Sequence, residues 1–365
     1  MRRNPVPWWK TSLGDKEIKK IEQSILAGHT MQGPVVFELE GRLAKLLDVP
    51  YALLTTNGSS ALLMALLACG IKPGDEVIIP NLTFVATALA PQLLGARIKL
   101  VDVNSSRPLV DIEQIKNFIT PKTKAIIPVH FNGMAADIGN IYALGRKYNI
   151  MVIEDAAQAL CSRNLLGALG TQSDIGIYSL GITKLITTVQ GGLVVTRNKR
   201  IFEKLKTIRN YGLTKQQGRQ SKQGIVGFNF KFNDILASIG LSQINRVKEK
   251  IKTLKDIYNL YKDGLKGLDY INMIEARVEE GELPLWTIVL CAKRQKLISL
   301  LKGRGILAKP FDRAICDLLP SGKSKSYRQS EVYADSGLIL PSGPDQSKDD
   351  LRYVVDSLRS INSRI

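Results

Sequence analysis

Residues 174–196 read DIGIYSLGITKLITTVQGGLVVT, and the parsing of this stretch decides the fold. DIGIYS (174–179) and GLVVT (192–196) are short apolar runs of strand length. The connection between them is too short for a full crossover helix, so one of the two strands must run antiparallel to its neighbour. The first run ends at Ser179, and Lys184 follows in an otherwise apolar segment. Lysines are almost never fully buried, so the default for Lys184 is a solvated surface charge. Only the rest of the chain can change that reading.

Outward from this stretch the rhythm is β-α-β. YALLT (51–55), VII (77–79), RIKLVD (97–102), KAIIPV (124–129) and IMVIE (150–154) are strand candidates, with helix-length segments between them. Seven such strands predict an α/β protein, with one mostly parallel sheet and helices on both faces. From Asn233 the pattern changes. NDILASIGLSQINRVKEKIKTLKDIYNLYKDGL reads as one or two long amphipathic helices. LWTIVLCA, RQKLISLLKGRG and KDDLRYVVDSLRSI then suggest a smaller α+β unit. The expected division is a large domain over 1–245 and a small C-terminal domain over 246–365.

At 365 residues, 44% hydrophobic and 23% charged, the chain is expected to be soluble and globular with a large core. ALLMALLACGI (61–71) is too short to span a bilayer, and the basic N-terminus lacks a signal peptide's apolar core. Cys69, Cys161, Cys291 and Cys316 are scattered and read as reduced thiols, which suggests the cytoplasm. His29 and His130 are the only histidines, which excludes a histidine-rich metal site. The net charge of +18 is unusual, and ten of its lysines and arginines lie in 293–328 against Asp312 and Asp317 alone. No stacking, zinc-finger or helix-turn-helix pattern accompanies them, so a solvated face near an anionic substrate is favoured over nucleic acid.

In open parallel sheets the chemistry lies beyond the carboxyl ends of the strands. After YALLT, Asn57, Gly58, Ser59 and Ser60 open a helix, as a plain cap or as a phosphate site. After VII, Phe84 is either a core aromatic or a surface for stacking a flat ligand. After IMVIE, Asp155 is a helix cap or a buried carboxylate with a partner, and Gln158 follows one turn later. Lys184 follows DIGIYS. A phosphate cradle, a flat apolar face, an acid and a lysine together match one cofactor, pyridoxal 5'-phosphate. Its aldehyde requires a lysine amine, and its ring nitrogen requires an acid.

The chain resembles the pyridoxal-phosphate-dependent sugar aminotransferases of the DegT/DnrJ/EryC1/StrS group, which have the aspartate aminotransferase (type I) fold. NGSSAL, PGDEVIIPNLTFVATA, TKAIIPVHFNG, VIEDAAQA, SLGITK, QGGLVVT, GFNFKFNDILASIGLSQI and GLILPSG carry the resemblance in order and spacing. It implies that Lys184 forms the internal aldimine and shuttles the substrate proton. It further implies that Asp155 pairs with the pyridine nitrogen, Gln158 bonds the ring oxygen and Phe84 stacks on the ring. Gly58, Ser59, Ser60 and Ser179 are implied to hold the phosphate. Asn229 is implied to reach the phosphate of a neighbouring subunit, in a homodimer with shared active sites. The expected reaction moves an amino group from L-glutamate to a keto carbon of a nucleotide-linked sugar, in amino-sugar and surface-polysaccharide biosynthesis.

Three positions depart from the family pattern: LGI before the lysine, Gln190 where Glu is common, and Lys231 where Arg is common. They approach the substrate side and leave open a sugar outside the hexoses. A branch of the family that removes a sugar hydroxyl carries histidine at the lysine position, and Lys184 argues against it. A non-catalytic regulatory protein on nucleic acid or an anionic surface is the alternative of another class, and the retained lysine, acid and glutamine argue against it. His130 reads as a structural or supporting residue.

Overall fold

The computed structural model describes residues 4–214, 222–319 and 326–361. Seven strands form the central sheet: β1 (Tyr51–Thr55), β2 (Glu76–Pro80), β3 (Arg97–Val101), β4 (Thr123–Ile126), β5 (Met151–Asp155), β6 (Ile175–Ser179) and β7 (Gly192–Thr196). Their order across the sheet is β1-β7-β6-β5-β4-β2-β3. Only β7 runs against the rest, antiparallel to both β1 and β6, while the other pairings are parallel. The short connection after DIGIYS therefore reverses the chain as expected.

Strand residues alternate between two cores, because successive side chains of a strand point to opposite faces. Leu53, Ile177 and Val194 pack into one cluster with the helix Gly58–Ala68. Leu54, Tyr178 and Leu193 pack into the other, with Val36, Leu39 and Leu43 of the helix Pro34–Leu47. Both faces are covered, which explains why these strands read as nearly continuous apolar runs.

The long helical stretch after Asn233 resolves into two helices, Asp234–Asn245 and Val247–Gly264. A second, antiparallel sheet follows: β8 (Asn272–Met273), β9 (Thr287–Leu290), β10 (Lys309–Pro310) and β11 (Gly337–Leu340), in the order β8-β9-β11-β10. The N-terminal segment crosses to this sheet. Val6 bridges to Ile306, and Ser342 N–H donates to Trp8 O. The helix Arg294–Gly303 turns Lys293, Lys296 and Lys302 outward as a solvated face. Residues 320–325 of the basic segment lie outside the described residues. Among the described residues no helix is long and apolar enough to cross a membrane, no metal-binding cluster forms, and no disulfide joins any of the four cysteines.

Asp234 ties the first helices to the core. It is fully buried, and its Oδ1 accepts from the N–H groups of Gly33 and Val36, at the start of the helix Pro34–Leu47. These are orphan donors of a helix N-terminus, and the carboxylate also favours the helix dipole there. Asp234→Ala leaves the buried Val36 N–H and the half-buried Gly33 N–H without this acceptor, so it is expected to cost about 2–4 kcal/mol. The shift in denaturant midpoint measures this loss.

Candidate active site

The parallel strands deliver their carboxyl ends to one edge of the sheet, and β7, being antiparallel, delivers its amino end there. Gly192 of β7 consequently sits between Thr55 of β1 and Ser179 of β6. A Cβ at Gly192 would lie 2.2 Å from Asn57 O, so only glycine lets the β1 turn come this close. Gly58 is similarly confined, since a Cβ there would meet Ser179 Cβ at 3.2 Å. These close approaches bring the start of the helix Gly58–Ala68 against the end of β6.

A cavity of about 330 Å³ opens at this edge. Gly58, Ser59, Phe84, Asp155, Gln158, Ser179 and Lys184 all line it, although they come from four separate strand ends. Two of the expected residues do not. Ser60 sits one step into the helix, where its N–H donates to Asn57 Oδ1 at 2.8 Å and its hydroxyl pairs with Thr56 at 2.8 Å. Asn229 is exposed and lies outside its own chain's cavity, with Asn210 bridged to it.

Asp155 is 4% exposed and ends β5. Its Oδ2 accepts from Thr87 Oγ1 at 2.8 Å and its Oδ1 from Ala157 N at 3.1 Å. Burial pushes its carboxyl up from the ordinary range, and those two donors with the Lys184 charge oppose the shift. Gln158 is oriented as well. Its Oε1 accepts from Asn132 N at 2.8 Å, which leaves its amide N–H groups for a ligand. Asn132 in turn exchanges two hydrogen bonds with the backbone of Trp286 and sits at a φ of 51°. Asparagine tolerates that left-handed conformation well.

Lys184 is half-buried, with its ammonium 5.3 Å from the centre of the Trp286 ring. Burial lowers its proton affinity, Asp155 raises it, Lys309 lowers it and Asp312 raises it, bringing the pKa to about 8. The amine is thus substantially unprotonated just above neutrality, as a nucleophile or proton carrier requires. The loop after it is strained, because Val189 has a φ of 67°, which β-branched residues rarely adopt.

His130 belongs to the support rather than the cavity. It is fully buried, its Nδ1 accepts from Ala136 N, and its Nε2 therefore carries the proton and donates to Glu154 Oε2 at 2.9 Å. Glu154 also accepts from the N–H groups of Gly170 and Gln172, which anchors the turn behind β5.

Sequence reasoning missed Thr87, Trp8, Trp286, Lys309 and Asp312, all of which line the cavity. Thr87 carried a weak signal: a polar residue in an apolar helical run, four after Thr83, to whose hydroxyl it pairs at 3.0 Å. The other four come from the N-terminal segment and the second sheet, and no local pattern marks them.

These residues fit pyridoxal phosphate. The cavity is of small-molecule size. The Gly58 and Ser59 N–H groups open a helix beside the Ser179 hydroxyl, a suitable place for a phosphate. Phe84 is 55% exposed and offers a flat face. Asp155, the free end of Gln158 and Lys184 supply the remaining polar partners.

Comparison with known proteins agrees. The sequence profile of the DegT/DnrJ/EryC1/StrS aminotransferase family matches residues 11–359. GDP-perosamine synthase of Escherichia coli O157:H7 is 30% identical over 98% of this chain and 99% of its own length. The aminotransferase TlmJ from Streptoalloteichus hindustanus superposes with a TM-score of 0.94 at 24% identity, covering 99% of this chain and all of that one. DesV from S. venezuelae, solved in complex with a ketimine intermediate, superposes at 0.91 with 26% identity, again over 99% of this chain and all of its own. With the profile running almost end to end over a type I fold whose cavity suits the cofactor, the chain belongs to the DegT/DnrJ/EryC1/StrS aminotransferase family and is a pyridoxal-phosphate-dependent sugar aminotransferase.

Proposed function

We propose that this enzyme takes its amino group from L-glutamate and delivers it to the keto carbon of a nucleotide-linked sugar, working as a homodimer with shared sites. The observation that carries the reading is the convergence of Lys184, Asp155 and the Gly58–Ser179 cradle on one cavity. The resemblance to a GDP-perosamine synthase supports a guanosine diphosphate sugar, and a 4-keto-6-deoxy hexose is the first to test.

Pyridoxal phosphate, when bound, carries the amino group between substrates and takes up the electron pair released at the substrate carbon. Lys184 moves the proton to and from that carbon, and its lowered proton affinity suits both directions. Asp155 holds a proton on the ring nitrogen, fixed in place by Thr87 and Ala157. The Gln158 amide donates to the ring oxygen, and Phe84 covers the ring. Gly58, Ser59 and Ser179 hold the phosphate, with Ser60 shaping the helix start behind them. The division near residue 245 separates this cofactor-holding part from the second sheet.

Asn229 is assigned to the partner's phosphate, which its exposed position outside its own cavity supports. Exposed Met31, Phe37 and Phe228 are apolar surface of the kind a partner subunit covers. The test mixes two inactive variants, Lys184→Ala and Asn229→Asp, under conditions of subunit exchange. An aspartate beside a phosphate repels it. With equal amounts, half the dimers are mixed and one site in each is intact, so about a quarter of parent activity is expected to return. No return despite demonstrated exchange would confine Asn229 to its own subunit or to no role. A parent enzyme inert with glutamate and a panel of GDP-linked keto sugars would overturn the substrate reading.

A further inference from the structure

The cavity must accept two unlike substrates in turn, and this inference rests on the donor and acceptor proposed above. One is a small amino dicarboxylate. The other is a sugar ring, uncharged in itself, whose diphosphate lies further out. Among the described lining residues of this chain there are two lysines, Lys184 and Lys309. Lys184 is committed to the cofactor. A donor carboxylate therefore finds one spare cation on this chain's wall, Lys309.

Lys309 is well placed for that task. It lies in β10, paired in register with Ile339 of β11, so a sheet and not a loop carries it. Its ammonium lies 5.3 Å from the centre of the Trp8 ring and 3.3 Å from the carboxylate of Asp312. Trp8 packs edge-on against Trp286, at 6.3 Å between ring centres, and Trp286 lies beneath Lys184. The two lysines thus stand over adjoining aromatic rings of one wall. The Lys309–Asp312 pair is half-open to solvent, with side-chain exposures of 34% and 52%. Exposed pairs of this kind are worth little, so exchanging one partner costs little.

We propose that Lys309 and Asp312 form an exchangeable pair that lets one cavity read both substrates. When the donor enters, its carboxylate replaces Asp312 on Lys309. When the sugar enters, the pair re-forms and is neutral overall, and Asp312 accepts a hydrogen bond from a ring hydroxyl. No covalent step is involved, so Lys309 and Asp312 are specificity residues rather than catalytic ones.

The test uses the holoenzyme and glutarate, a five-carbon dicarboxylate without an amine, whose binding is read by calorimetry. A charge-assisted hydrogen bond of ordinary strength corresponds to about a 10–100-fold change in affinity. Lys309→Met should weaken glutarate by at least about tenfold and lower kcat/KM for glutamate in proportion, with the sugar KM changed much less. Lys309→Arg should restore most of the glutarate affinity. Asp312→Asn should do the opposite, binding glutarate as well as or better than the parent and losing kcat/KM for the sugar. Melting curves check that each variant is folded. Glutarate affinity within twofold of the parent in Lys309→Met, or equal losses for both substrates in both variants, overturns the assignment. If the parent is not converted by glutamate, the donor reading fails and takes this inference with it. If glutamate converts the parent and Lys309→Met behaves like it, only the exchangeable pair is wrong.

Discussion

Lys184→Ala is expected to lower turnover by about four orders of magnitude or more, since one side chain is both the cofactor's covalent anchor and the proton carrier. The variant should still retain pyridoxal phosphate without a covalent bond. Of the residues proposed to hold it, Gly58, Ser59, Asp155 and Gln158 come from other strand ends, and Ser179 is fixed at the end of β6 before the lysine, so none depends on the Lys184 side chain. Borohydride should therefore fix the cofactor to the parent and not to the variant. The pH dependence gives a second check. Burial and Lys309 hold the amine near a pKa of about 8 in the cofactor-free protein, so the reactive unprotonated form declines as pH falls below 8. The rate of cofactor capture should rise about tenfold per pH unit below 8 and level off above it. A midpoint near 10 would mean that the lysine is solvated, as the default reading of a lysine has it. Normal amino transfer by Lys184→Ala would remove it from the mechanism.

Much of the site is legible in the sequence because a parallel sheet places chemistry at predictable points. Each parallel run ends at the same edge, so the residues after YALLT, VII, IMVIE and DIGIYS converge without any contact map. The reversal at β7 was also readable, from the length of one connection. Strand ends were less so. KAIIPV reads as a strand to 129, but β4 stops at Ile126, two residues before Pro128, which has no N–H to donate. Ser60 looked equivalent to Ser59 in NGSS, yet one step along a helix turns a residue by about 100°, and Ser60 faces its own cap. The wall of Trp8, Trp286, Lys309 and Asp312 was invisible for a different reason. Trp8 lies near the opposite end of the chain from the other three, and only the packing of the N-terminal segment on the second sheet brings it to them.

Asp155→Asn separates function from structure, because the two readings of this residue predict opposite signs. As a helix cap, Asp155 would stabilise the protein, and its replacement would cost stability without abolishing activity. As the partner of a protonated ring nitrogen, it is a buried carboxylate kept for its charge. Burial raises its pKa in the cofactor-free protein, so its ionisation there opposes folding. The sign follows from linkage. A carboxyl with a raised folded-state pKa contributes stability below its unfolded value, and that contribution is lost as pH rises through the folded value. Neutral pH lies well above the ordinary carboxylate value, so the cofactor-free parent bears this loss in part or in full, and an uncharged asparagine escapes it. The amide can still accept from Ala157 N, and the Thr87 hydroxyl can turn to accept from its nitrogen. Cofactor-free Asp155→Asn should therefore melt at or above the parent temperature at pH 7. The same variant should lose turnover by about two to four orders of magnitude, because an unprotonated ring is a poor electron sink. The cofactor's protonation-sensitive absorbance should change with it, a signature that a structural cap would not move. A variant that is destabilised yet turns over like the parent would return Asp155 to the role of a cap and leave the ring nitrogen to another residue.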